Sequence, residues 1–103
     1  MQFYSLEKLI NLHDGYRKQI KIDHHNLLLI QNGDTVSLLE SLCPHRGHPL
    51  SVADISSDKL RCPLHGYEFA IATGKLLHYS EEPCRALKIY ELSDQGNELG
   101  VWL

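Results

Sequence analysis

Three cysteines, at 43, 62 and 84, cannot close a disulfide framework, because an odd count leaves one thiol over. So low a count fits a reducing compartment, and the reading expects a cytoplasmic protein. No apolar run approaches the roughly 18 residues that a membrane span needs, and no basic segment precedes an apolar stretch near Met1. The expectation is a soluble chain with no membrane partner. There is no basic excess either: 10 Lys and Arg stand against 13 Asp and Glu, a net charge of −3, which gives no reason to expect nucleic acid as a partner. With four prolines, seven glycines and no repeat or polar tract, neither a linker nor a low-complexity segment interrupts the chain. Its 103 residues, 43% of them hydrophobic, suffice for one domain over 1–103 with a small core.

Short strand patterns fill that domain. Residues 2–5 read as an opening strand, followed at Ser5–Leu9 by a brief turn with Ser5 as its cap. From Arg17 to Ile22 the residues alternate, Lys18, Ile20 and Ile22 facing opposite to Arg17, Gln19 and Lys21. Leu27 to Gln31 is an apolar run of buried-strand length, Asn32-Gly33 is a hairpin turn, and Thr35 to Glu40 returns. Ser51 to Asp58 reads as irregular and Lys59 to Cys62 as a short strand. Tyr67 to Ile71 alternates, and Thr73-Gly74-Lys75 turns the chain back through Leu76–His78. Ala86 to Leu92 reads as a strand, Ser93 to Asn97 as a loop, and Glu98 to Leu103 as the closing strand. Many short strands with turn signals every 8–12 residues define an all-β sandwich or barrel.

Two stretches break this monotony: Cys43-Pro44-His45-Arg46-Gly47-His48-Pro49-Leu50 and Cys62-Pro63-Leu64-His65-Gly66-Tyr67. Each sets one thiolate donor beside one imidazole, as Cys-x-His and then Cys-x-x-His, with sixteen residues between His45 and Cys62. Pro and Gly in both make tight loops of them. Zinc takes the same donor types, but its structural sites usually pair Cys-x-x-Cys with a second Cys or His pair, whereas each loop here mixes the two. A zinc-stapled interaction module is thus one reading, and a two-iron cluster held by two thiolates and two imidazoles is the other.

The mixed pairs, their order, their gap and the Pro and Gly of each loop resemble the Rieske iron–sulfur signature, and the resemblance continues through Gly66-Tyr67-Glu68-Phe69 and Thr73-Gly74-Lys75. It implies a 2Fe-2S cluster with Cys43 and Cys62 on one iron and His45 and His65 on the other. It also implies a Rieske-type antiparallel β assembly whose small cluster-binding subdomain runs from about 43 to 74, with both histidines at the protein surface. Imidazole is a neutral donor, so replacing two thiolates raises the potential above that of an all-cysteine ferredoxin.

High-potential Rieske proteins carry a disulfide-bonded extra Cys in each loop, where this chain has His48 and Leu64, and a sulfur-bonding Ser where it has Tyr67. The sequence instead resembles the Rieske ferredoxins of bacterial oxygenases and the small subunits of assimilatory nitrite reductases. The resemblance implies an electron-transfer component, not an enzyme: a one-electron carrier between a flavin-dependent reductase and a terminal oxygenase, or a subunit bound to a nitrite reductase large subunit. The chain ends soon after the Rieske region, and no mononuclear iron domain of a Rieske oxygenase is expected.

The remaining candidates have plainer readings. Arg46 is a solvated charge or a partner contact, and His48 is a loop filler or a charge beside the cluster face. Cys84 is a packing thiol, and Phe69, Tyr90 and Trp102 are expected in the β core.

Overall fold

A computed structural model describes residues 1–103, and it is built of antiparallel strands in three sheets. The first joins β1 (Phe3–Lys8), β11 (Glu98–Trp102) and β10 (Ser93–Gln95), with β11 central. The second orders β2 (Arg17–Ile22), β3 (His25–Asn32), β4 (Thr35–Glu40) and β9 (Ile89–Tyr90). The third is a meander of β5 (Asp54–Ser56), β6 (Lys59–Arg61), β7 (Glu68–Ala70) and β8 (Leu76–His78). It spans residues 54–78, largely within the stretch of about 43 to 74 expected as the cluster subdomain.

The apolar run Leu27–Ile30 explains how these sheets assemble. All four residues are fully buried, and strand alternation sends them to opposite faces. Leu28 and Ile30, with Leu39 from β4, join a core containing Cys43, Leu50, Leu60, Cys62, Tyr67, Phe69 and Leu87. Leu27 and Leu29, with Leu38, join a second core containing Leu6, Leu99 and Val101. One pair of strands is therefore the shared wall of two cores. Each fully buried leucine or isoleucine among them contributes about 1.5–3 kcal/mol by burial.

Several expected elements differ. The opening strand continues to Lys8, because a register shift between Ser5 and Glu7 keeps it paired with β11 while Leu6 is buried. The turn moves to a short 3-10 segment, Leu9–Asn11, without a side-chain cap, so Ser5 lies inside a strand. The stretch read as irregular contains Leu50–Val52 as a 3-10 turn and β5, which forms a hairpin with β6 through Ser57 in the left-handed region (φ 59°). Of the strand expected over Ala86–Leu92 only Ile89–Tyr90 remains, because the Leu87 N–H donates to Gly74 O rather than to β4. Ser93–Gln95 is a strand rather than a loop, paired to β11 across a turn at Gly96. Phe69 is buried and Tyr90 half-buried, as the core reading requires, but Trp102 is 46% exposed. It points away from Leu99 and Val101, and its ring tilts against Phe3 at 5.4 Å. That same Phe3 ring covers the bare backbone of Gly100.

Candidate metal centre

Both cysteine–histidine loops are tips of hairpin-like turns. In the first, the Leu42–Pro49 bridge closes the base, the Cys43 N–H donates to His48 O, and the Gly47 N–H donates to Cys43 O at 2.7 Å. In the second, between β6 and β7, the Cys62 N–H donates to Tyr67 O at 2.8 Å. His65 and Gly66 there both take left-handed backbone, φ 66° and 67°. Glycine adopts this freely, but a histidine does so only where its surroundings hold it.

The fold brings the four predicted residues together as two pairs, thiol with thiol and imidazole with imidazole. Cys43 and Cys62 are buried in the first core, and their thiols lie within hydrogen-bonding reach of each other. Burial pushes the Cys62 thiol up to about 11, with the Cys43 sulfur beside it adding to the rise. Outside them the His45 and His65 rings meet edge to face, 5.5 Å between centroids. The two imidazoles are not equivalent. His65 is 36% exposed at its side chain, whereas His45 is only 4% exposed, against the expectation that both reach the surface. His45 is covered because its ring stacks on buried Tyr67 (4.1 Å, 12°) and is flanked by Arg46 and Glu81. The Tyr67 hydroxyl turns away to the next loop, donating to Glu82 O and accepting from the Glu82 N–H.

The sequence marks Glu81-Glu82-Pro83 as a connector but gives no sign that this loop, residues 79–88, borders the site. Ser80 Oγ donates to His65 O at 2.6 Å. Glu81 Oε1 lies 3.1 Å from His45 Nε2 and 3.8 Å from His65 Nε2. Arg46 approaches from the other side, Nη2 3.5 Å from the same oxygen and Nε 3.5 Å from His45 Nε2. No motif marks a glutamate in a Pro-containing connector as part of such a site. Ser41, buried two residues before Cys43, has a hydroxyl with no hydrogen-bond partner.

A zinc staple draws its donors to one point, whereas here thiol lies beside thiol and imidazole beside imidazole. The donors instead divide into an inner pair of thiols and an outer pair of imidazoles, which is what two irons with two protein ligands each require. The four surface cavities, the largest about 380 Å³, are lined by none of these four residues.

Antiparallel sheets presenting two loops, each with one thiol and one imidazole, form an arrangement suited to an iron–sulfur cluster. The chain belongs to the Rieske [2Fe-2S] domain family, which it matches over residues 2–91. It is 33% identical to mouse Apoptosis-inducing factor 3 over 66 residues, 64% of this chain and 11% of that protein. It thus spans about a tenth of the length of that relative. In structure it is similar to the ferredoxin of carbazole 1,9a-dioxygenase from Nocardioides aromaticivorans IC177, with a TM-score of 0.82 at 22% identity, covering 98% of this chain and 97% of that one. It is similar too to a chain of the complex of reduced oxygenase and oxidized ferredoxin in carbazole 1,9a-dioxygenase, with a TM-score of 0.79 at 21% identity over 93% of this chain and 97% of that one.

The third cysteine lies outside both loops. Cys84 is half-buried and packs on the first core, and burial raises its thiol, with the nearby Cys43 sulfur a smaller cause. Cys84→Ser is expected to keep the full visible spectrum and to cost about 1 kcal/mol or less. Loss of colour in that variant, read by absorption of freshly purified protein, would show it to be a ligand.

Proposed function

We propose that this chain is a one-electron carrier that takes electrons from a flavin-dependent reductase and passes them to a terminal oxygenase. The observation that carries the reading is the layered donor set, two buried thiols behind two imidazoles of which one reaches solvent. The similarity to a carbazole dioxygenase ferredoxin over nearly the full length of both chains supports it, as does the similarity to a chain of an oxygenase–ferredoxin complex.

In this reading Cys43, Cys62, His45 and His65 hold the cluster. The cluster supplies a site that gains and loses one electron without bond making in a substrate. The chain supplies the rest. Its buried thiols fix the inner ligands in a packed core, where little reorganisation accompanies a change of charge. The exposed His65 edge presents the outer ligand to a docking partner, and such redox encounters are small and transient.

The potential tests the assignment. No hydroxyl takes the place of the serine that bonds a sulfur in high-potential Rieske proteins, since Tyr67 directs its own to Glu82. The midpoint is therefore expected near the lower end of the Rieske range of about −150 to about +300 mV. Voltammetry at neutral pH decides: a midpoint above about +100 mV overturns the ferredoxin-type carrier.

A further inference from the structure

We propose that Glu81 is a built-in negative charge that bridges the two histidine ligands from outside and holds the cluster's reduction potential down, with Arg46 as its partial counterweight. This rests on the ligand assignment above. The geometry is specific: one carboxylate oxygen stands 3.1 Å from His45 Nε2 and 3.8 Å from His65 Nε2, so a single charge borders both imidazoles at once.

The position is constructed rather than sampled. On one side of Glu81, Ser80 Oγ donates to the carbonyl of His65. On the other, the Glu82 backbone both donates to and accepts from the Tyr67 hydroxyl. Tyr67 is itself fully buried and stacked on His45. The backbone flanking Glu81 is thus tied to the second ligand loop, and the carboxylate faces the rings because its neighbours are anchored.

The electrostatic consequence follows. Reduction adds one negative charge to the ligand–cluster unit, and a carboxylate at its outer edge opposes that addition. Glu81 is 40% exposed, so solvent and salt weaken the effect without abolishing it. Arg46 Nη2, 3.5 Å from the same oxygen and itself 57% exposed, offsets part of it. The carboxylate, in contact with both rings, dominates. Partners around metal ligands tune a centre in this way without touching the metal.

The test compares cluster-loaded proteins at one pH and one ionic strength. Glu81→Gln keeps the size and removes the charge, and the reduced-to-oxidised ratio at a fixed ambient potential is expected to rise about tenfold, a 59 mV increase in midpoint for a one-electron couple. Arg46→Gln is expected to move it in the opposite direction, two- to threefold. Glu82→Gln removes an equal charge one residue on, where the backbone rather than the carboxylate is bonded to the site, and is expected to shift the ratio less than twofold. A midpoint in Glu81→Gln unchanged or no more shifted than in Glu82→Gln, with the cluster spectrum intact, overturns the proposal. Should Glu81→Gln fail to load, Arg46→Gln decides alone, and an unmoved or raised midpoint there overturns it. A parent chain that takes up no cluster refutes instead the ligand assignment on which the proposal stands.

Discussion

Cys43→Ser or Cys62→Ser will yield a colourless chain, while the parent carries two irons and two acid-labile sulfides. Serine is nearly the size of cysteine, but its hydroxyl does not ionise near neutral pH and is a hard donor where the cluster needs a soft thiolate. Changing residues that merely support a metal ligand costs 10–100-fold in affinity, so losing an inner ligand should cost more than about 100-fold. Each cysteine also lies in the first core beside Tyr67, Leu50 and Leu60. A hydroxyl there, without the cluster, leaves a buried polar group in an apolar setting, a further cost of about 1–3 kcal/mol. Iron and sulfide analysis with the visible spectrum checks this, and a variant retaining both irons would remove that cysteine from the ligand set.

Gly74→Ala is expected to do comparable harm without touching a ligand. Gly74 has φ 78°, and a Cβ there would lie 1.9 Å from the carbonyl oxygen of Leu87. The backbone around Leu87 must move, breaking the bond from the Leu87 N–H to Gly74 O and lifting the buried Leu87 side chain. Left-handed strain of about 1–2 kcal/mol, a hydrogen bond of about 1 and the partial loss of a buried leucine sum to about 4 kcal/mol. That is a large part of a small domain's stability, and the apparent Tm should fall by about 20 °C. Gly33→Ala separates the two causes. Gly33 also has positive φ (63°) but open space where the Cβ would go, so only the strain of about 1–2 kcal/mol applies. Thermal unfolding followed by circular dichroism should rank the two clearly; equal losses would show that the contact with Leu87 is unimportant.

The two cysteine–histidine loops were legible because their chemistry is local. Donor types, Pro and Gly sit within a few residues of one another in each loop. The wall of β3 and β4 was legible for a similar reason, an unbroken apolar run followed by Asn-Gly. What stayed hidden depends on partners. β10 is Ser-Asp-Gln, polar throughout, and is a strand only because β11 lies beside it. The β5–β6 hairpin turns at Ser57, a residue that rarely takes positive φ, so no glycine announced it. The covering of His45 needs Tyr67, Arg46 and Glu81 at once, from three separate segments. Glu81 reaches the site only when the connector after β8 folds back on the second ligand loop.

The wall shared by the two cores also limits how the protein can change over generations. On an ordinary half-exposed strand every second position can drift with little penalty. From Leu27 to Ile30 there is no such position, since one residue in two answers to the ligand-bearing core and the other to the core of the terminal strands. A lineage that alters the far core must therefore keep the placement of the strands that also back the ligand loops. Tolerated variation is pushed outward, to polar edges such as β10 and to exposed turns, and two parts of the molecule with separate interiors are inherited as one.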